Sequence, residues 1–222
     1  IIDSLDNENF VLKKIKTNLK DIIGKSRTEE YPAIVKDLII DNNKIYISFI
    51  KKKETNCHFN SIVVGGLSKK QINFKSFFDM NECQSSIYLS QSGGVISTFK
   101  NNSLLYTIGD YRTASHKALN LAQDKKSLAG KIIEINKKTK KYKIISLGHR
   151  NPQGIYYDEK NNVIIFSEHM ARGGDELNIN KLIDSKIKNY GWPISSYGEH
   201  YETSIRNNKD IYLTSPLHKS HS

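Results

Sequence analysis

Ile155-Tyr156-Tyr157-Asp158-Glu159-Lys160-Asn161-Asn162-Val163-Ile164-Ile165-Phe166-Ser167 is an apolar run, a polar turn with asparagine at its end, and a second apolar run closing on serine. β-Branched and aromatic residues on both sides of an Asn-bearing turn predict a β-hairpin. The pattern occurs twice more upstream. Leu38-Ile39-Ile40-Asp41-Asn42-Asn43-Lys44-Ile45-Tyr46-Ile47-Ser48 is one copy, and Val95-Ile96-Ser97-Thr98-Phe99-Lys100-Asn101-Asn102-Ser103-Leu104-Leu105-Tyr106-Thr107 is the other. The closing residues Ser48, Thr107 and Ser167 recur at about 60 residues, a spacing that marks a repeat architecture.

In the first two repeats two more strand candidates follow the hairpin, 61–67 with 72–78 and 131–136 with 142–147. Four strands per repeat at this period predict an all-β propeller whose repeats are blades. The boundaries read as 1–30 for the end of a preceding blade, 31–92 and 93–152 for two full repeats, and 153–222 for a truncated third. Within 1–30 the spacing leaves two readings. Leu12, Ile15, Leu19 and Ile22 would stripe one helix face, whereas Lys16-Thr17-Asn18 reads equally as a turn between strands, the option preferred here.

The chain has 222 residues, begins at Ile1 and ends at Ser222, and is expected to be part of a larger propeller of three to four blades here. No apolar run reaches the roughly 20 residues of a membrane-spanning helix. Lysine and arginine number 34 against 23 acidic residues, a net charge of +11. Such a charge invites a nucleic-acid partner, but no groove-reading motif accompanies it. The lysines fall in short groups such as Lys51-Lys52-Lys53 and Lys137-Lys138 between apolar runs, as solvated hairpin tips and protected sheet edges do. Cys57 and Cys83 are too few for a zinc site; a disulfide, which would suit an exported protein, and two free thiols both remain open.

Four blocks carry the chemistry: Gly148-His149-Arg150-Asn151-Pro152-Gln153-Gly154; Ser167-Glu168-His169-Met170-Ala171-Arg172-Gly173-Gly174-Asp175-Glu176-Leu177-Asn178; Asn189-Tyr190-Gly191-Trp192-Pro193; and Ser196-Tyr197-Gly198-Glu199-His200-Tyr201. In order and spacing they resemble the soluble glucose/sorbosone dehydrogenase family. The resemblance implies a six-bladed β-propeller that holds pyrroloquinoline quinone (PQQ) over calcium, acts on a small sugar, and works in the periplasm or outside the cell. It assigns quinone contacts to Arg150 and Asn151, where a guanidinium fork suits carboxylate and quinone oxygens. It assigns calcium to the backbone oxygens of Met170 and Ala171, and a second, structural calcium to the Asp175-Glu176 pair and Tyr190. Glycine would be usual at Met170, so a need for positive φ there would disturb the site. Trp192 is expected to pack between blades.

The same comparison exposes a departure. Gln91-Ser92-Gly93-Gly94 occupies the element in which the family carries its catalytic histidine, and Gln91 takes the imidazole's place. Glutamine accepts no proton at neutral pH. Asp110 and, in the first repeat, Asp37 are carboxylates that burial could tune into a base; both also read as ordinary turn residues. His116 lies in the 111–130 insertion, and His149 and His169 read as architectural supports. No hydrolase elbow or phosphate loop is present. The resemblance, with this departure, therefore implies either a PQQ-dependent aldose sugar dehydrogenase, an oxidoreductase passing hydride from sugar C1 to the quinone, or a non-catalytic propeller binding a carbohydrate or a protein.

Overall fold

The computed structural model describes residues 2–6, 9–12, 14–23, 35–54, 57–85, 89–112 and 121–196, with backbone alone for 2–12. His116 and the 197–201 part of the fourth sequence block lie outside the described residues. Near the N-terminus, β1 (Ile2–Asp6) and β2 (Asn9–Leu12) form a hairpin, followed by the short β3 (Lys16–Thr17) and the helix α1 (Leu19–Ile23). Lys16–Thr17 is a strand rather than the expected turn, because its backbone pairs with Gln71–Ile72. Of the apolar stripe only Leu19 and Ile22 are helical, Leu12 ending β2; Ile15, Leu19, Ile22 and Ile23 pack on Ile45, Ile47 and Phe49 of the first sheet.

That sheet runs β4 (Val35–Asp41), β5 (Lys44–Glu54), β6 (Cys57–Gly66) and β8 (Lys75–Asp79) in order. Ile72 lies outside it: Gln71–Ile72 forms β7, which pairs in parallel with β3, so the fourth strand begins at Lys75. The second sheet is β9 (Gly93–Phe99), β10 (Ser103–Ile108), β11 (Lys131–Asn136) and β12 (Tyr142–Leu147). The third holds β13 (Pro152–Asp158), β14 (Val163–Glu168) and β15 (Glu176–Lys181), while β16 (Lys188–Asn189) crosses back to pair with β12. The described residues are all-β apart from α1 and one short helical turn, and each of the three main sheets is built on an antiparallel meander, as propeller blades are, with β16 added in parallel to the second. The hairpin turns rely on asparagine: Asn42, Asn43 and Asn162 adopt positive φ, which that residue tolerates.

The cores lie between the sheets. Every residue of β10 is buried, and its two faces serve different neighbours. Leu104, Tyr106 and Ile108 meet Tyr46, Phe59, Ile62 and Phe78 of the first sheet. Leu105 joins Phe99, Ile132, Ile164 and Phe166 toward the third. A strand covered on both faces reads as a continuous apolar run, which is why 104–106 shows no alternation. Cys57 and Cys83 are disulfide-bonded, tying the start of β6 to the approach to the second sheet.

Candidate functional site

The start of β9 is held from all three sheets. Residues Leu89–Gln91 make one tight helical turn before the strand. From the first sheet, Lys36 Nζ donates to Leu89 O at 2.9 Å, Asp37 Oδ2 accepts from Ile96 N at 2.8 Å, and Asn60 Nδ2 donates to Ser92 O at 3.0 Å. The Ser48 hydroxyl donates to Gly94 O. From the third sheet's leading edge, Asn151 Oδ1 accepts from Gly93 N at 3.1 Å. Gly94 takes φ +105° and a Cβ there would strike the stem of Lys36; a Cβ on Gly109 would run into the Gln91 carbonyl. This close backbone approach fixes the direction of Gln91.

The next support is a buried imidazole. His149 and Glu168 are fully enclosed, with His149 Nδ1 3.1 Å from Glu168 Oε1 and Nε2 2.8 Å from Ser146 Oγ. Glu168 Oε2 also accepts the Arg150 backbone N–H at 3.0 Å. Tyr190 stacks on the His149 ring at 5.0 Å and Phe166 meets it edge-on at 5.1 Å. Arg150 follows in sequence. Its Nη1 donates to His169 O at 3.1 Å, and its guanidinium lies 5.5 Å from the Trp192 ring centre.

These residues border an open cavity of about 650 Å³ lined by Gln91, Arg150, Asn151, His169, Met170 and Arg172, with Asp175 at its edge. Gln91 Oε1 is buried and has no hydrogen-bond partner. Buried polar atoms are nearly always paired, so this acceptor stands ready for a donor. His169 is the imidazole on the cavity wall: its Nδ1 is 3.0 Å from Asp175 Oδ2, and both side chains are exposed. The hydrogen bond from His169, ahead of other contributions, holds the Asp175 carboxyl below its ordinary pKa.

The structure thus brings together Gln91, Arg150, Asn151, Met170 and Ala171. Met170 and Ala171 do not adopt positive φ; the left-handed residue of that turn is Gly173, at +72°. Met170 therefore occupies its position without left-handed strain. Ala171 O already accepts from Gly174 N at 2.8 Å.

Glu176 and Tyr190 have separate surroundings. The Glu176 carboxylate accepts from Asn178 Nδ2 at 3.0 Å, and burial pushes its pKa up to about 7. Tyr190 is turned to His149 and Phe166, its hydroxyl 3.4 Å from Ile179 O, and burial raises its pKa. Asp175 faces His169 and Met170 N rather than Glu176. Among the described residues no group of three His, Cys, Asp or Glu side chains could hold a metal ion.

Asp110 is fully buried, accepting from Trp192 Nε1 at 2.7 Å and from Arg112 N at 2.8 Å. Asp37 is engaged by Leu38 N and Ile96 N, each at 2.8 Å. Trp192 packs with Ala122, Met170 and Ala171, between elements as expected. Sequence reading missed the loop behind this wall. Lys131, fully buried, donates to the carbonyls of Leu121, Ala122 and Ala129 at 2.7–3.0 Å. Gln123 bridges to Trp192 O at 2.7 Å and to Asn189. Their signal, contacts between the 111–130 insertion and residues far along the chain, is absent from local patterning.

A family model described as Glucose / Sorbosone dehydrogenase matches residues 34–218. The chain is 40% identical over 95 residues to an uncharacterized protein of Synechocystis sp., covering 37% of this chain and 22% of that one. It is 37% identical over 93 residues to aldose sugar dehydrogenase YliI of Escherichia coli, covering 36% of this chain and 24% of that one. Among solved structures, a glucose dehydrogenase superposes with a TM-score of 0.64 at 26% identity, over 76% of this chain and 52% of the other. The apo-form of the soluble aldose sugar dehydrogenase of Escherichia coli gives 0.63 at 24% identity with the same coverage, a likeness of fold. The chain therefore spans about half the length of these structures (52%), and its aligned stretch a smaller share of the two sequence relatives (22% and 24%).

Proposed function

The chain belongs to the glucose/sorbosone dehydrogenase family, and from that premise we propose an aldose sugar dehydrogenase-like role, oxidation of a sugar at C1 with PQQ as acceptor. The observation that carries this reading is the cavity lined by Arg150, Asn151 and Arg172 together with Gln91, whose Oε1 is unpartnered. Guanidinium forks suit a ligand bearing several carboxylates, so the donor set fits the quinone. Arg150 and Asn151 would hold it, with Arg172 at the exposed mouth. When bound, PQQ would supply a two-electron acceptor for the C1 hydride. For calcium the described residues offer backbone oxygens at Met170 and Ala171, short of the six to eight oxygen ligands the ion takes, and no step is assigned to it.

Gln91 orients rather than deprotonates. Its Oε1 accepts a hydrogen bond from a sugar hydroxyl, while the pinned start of β9 keeps the amide in place. Loss of a general base removes about 10²–10⁴ in rate, so turnover with Gln91 alone is slow. The Cys57–Cys83 disulfide supports a periplasmic or secreted setting, since such bonds persist in oxidising compartments. No helix among the described residues is long and apolar enough to cross a membrane.

A second reading, a propeller that binds a carbohydrate or protein without turnover, is favoured by one observation. Asp37 and Asp110, the carboxylates that could replace the missing imidazole, are already committed to backbone and indole donors. The test is dye-coupled oxidation of an aldose panel by the full-length protein with PQQ and calcium, alongside Gln91→His and His169→Gln. Native turnover lost in His169→Gln would place the base on the cavity wall. Activity gained only in Gln91→His would identify a scaffold without its base. Silence in all three, with no quenching of protein fluorescence by PQQ, would leave the binding role.

A further inference from the structure

The strand ends remote from Gln91 and Arg150 meet in one face. Strand register places Asp41, Lys44 and Gly66 together at that end of the first sheet, and Phe99, Ser103 and Asn136 at that end of the second. Asp158, Val163 and Lys181 do the same in the third. Lys137 Nζ reaches Asp41 at 2.9 Å and Lys140 Nζ reaches Ser76 O at 3.3 Å, joining the turns of the first two sheets. A cavity of about 360 Å³ bordered by Lys100, Lys143, Asn180 and Lys186 joins the second and third.

Each of the five turns on this face exposes a lysine, Lys44, Lys70, Lys100, Lys138 and Lys160, and Lys186 is exposed on the segment that leaves the face to reach β16. The acids of these turns and of that segment are Asp41, Asp158, Glu159 and Asp184. Two of them are already matched, Asp41 by Lys137 and Asp184 by Lys188 at 3.0 Å. The arginines among the described residues, Arg112, Arg150 and Arg172, all sit at the opposite, site-bearing end. Among the described residues the turns of this face carry more lysines than acids and no arginine, an arrangement that hairpin-tip placement alone does not require. At its edge Ile183 is 82% exposed, two residues after Lys181 and three before Lys186.

We propose that this face docks on an anionic lipid bilayer, with the lysine ammonium groups against headgroup phosphates and Ile183 entering the acyl boundary. Lysines near an anionic leaflet are each attracted by about 1 kcal/mol, and an exposed aliphatic tip adds contact that salt does not screen. Nucleic acid fits less well. The face presents short turns, with no helix or ribbon to enter a groove, and the disulfide belongs to a compartment poor in nucleic acid. Docking in this pose turns the Gln91 cavity toward water.

The experiment is sedimentation of the full-length protein with vesicles of phosphatidylcholine, with and without phosphatidylglycerol, across a salt series. Binding is expected only to the anionic vesicles, falling steeply with salt. Lys44→Glu, Lys160→Glu and Lys186→Glu should each lower partitioning by roughly fivefold or more. Ile183→Ser should remove the salt-resistant remainder, and Lys125→Glu, at the site end, should change little. The proposal is overturned by absence of binding to anionic vesicles, by an equal loss in Lys125→Glu, or by duplex DNA displacing the protein from them.

Discussion

Two histidine–carboxylate pairs lie close together in sequence and in opposite environments. His149 and Glu168 are both 0% exposed at the side chain and stand 3.1 Å apart; His169 and Asp175 are 56% and 67% exposed and stand 3.0 Å apart. The distances are alike, so distance does not separate their roles. The buried pair has every surrounding group committed: Ser146, the Arg150 backbone and two aromatic rings. It orients the 149–151 segment. The exposed pair borders the Gln91 cavity, where its imidazole can meet a ligand. Burial, more than residue type, divides framework from chemistry here.

The largest expected effect breaks the framework side of that contrast. Glu168→Ala strands His149 Nδ1 and the Arg150 N–H in the interior, and each buried polar group left unsatisfied costs about 1–3 kcal/mol. Urea denaturation should show it, with Glu168→Gln recovering part of the loss.

Lys131 extends the comparison to a buried cation. Lys131→Met deprives three carbonyls of their donor, with an expected cost of about 2–3 kcal/mol. Its pH signature is separate. Burial lowers the Lys131 pKa from 10.5 to about 8, against the pull of Glu82 and Asp124, and burial alone does the same to Lys36. Between those values the unfolded chain binds protons that the folded chain does not, so stability rises as pH climbs through the window. Lys131→Met should reduce that rise, leaving the Lys36 share; melting temperatures across the window check it. Next in size, Trp192→Phe removes the indole donor from buried Asp110 and should cost about 1–3 kcal/mol by the same denaturation assay.

How far the sequence revealed these regions follows from the range of the contacts. Hairpin turns are local: Asn42-Asn43 and Asn161-Asn162 stand where the backbone turns, and Asn42, Asn43 and Asn162 adopt the left-handed conformation. Strands 131–136 and 142–147 are legible for the same reason. Ile72 misled because an apolar residue near a strand says nothing of which sheet it joins. Asp110 reads as a turn acid because its partner Trp192 lies 82 positions away. Gln91 could be matched to a motif, but its buried, unpartnered oxygen depends on clamps from Lys36, Asn60 and Asn151 in other sheets. Likewise the lysines read correctly as hairpin tips, while their gathering on one face is a property of strand direction.

The smallest expected effect tests the exposed pair. Asp175→Asn should alter stability by no more than about 0.5 kcal/mol near neutral pH, as surface substitutions do. The His169 hydrogen bond depresses the Asp175 pKa in the folded state, so its small contribution is present above the ordinary value of 3.8 and fades as pH falls through the folded one. Replacing the carboxylate should flatten that acid limb alone. The ligand side should respond differently: with Nδ1 no longer facing a charge, the His169 ring is freer to turn, and sugar affinity should change while the melt does not. A melt of Asp175→Asn as low as that of Glu168→Ala would show that the exposed pair is framework too, and the division by burial would fail.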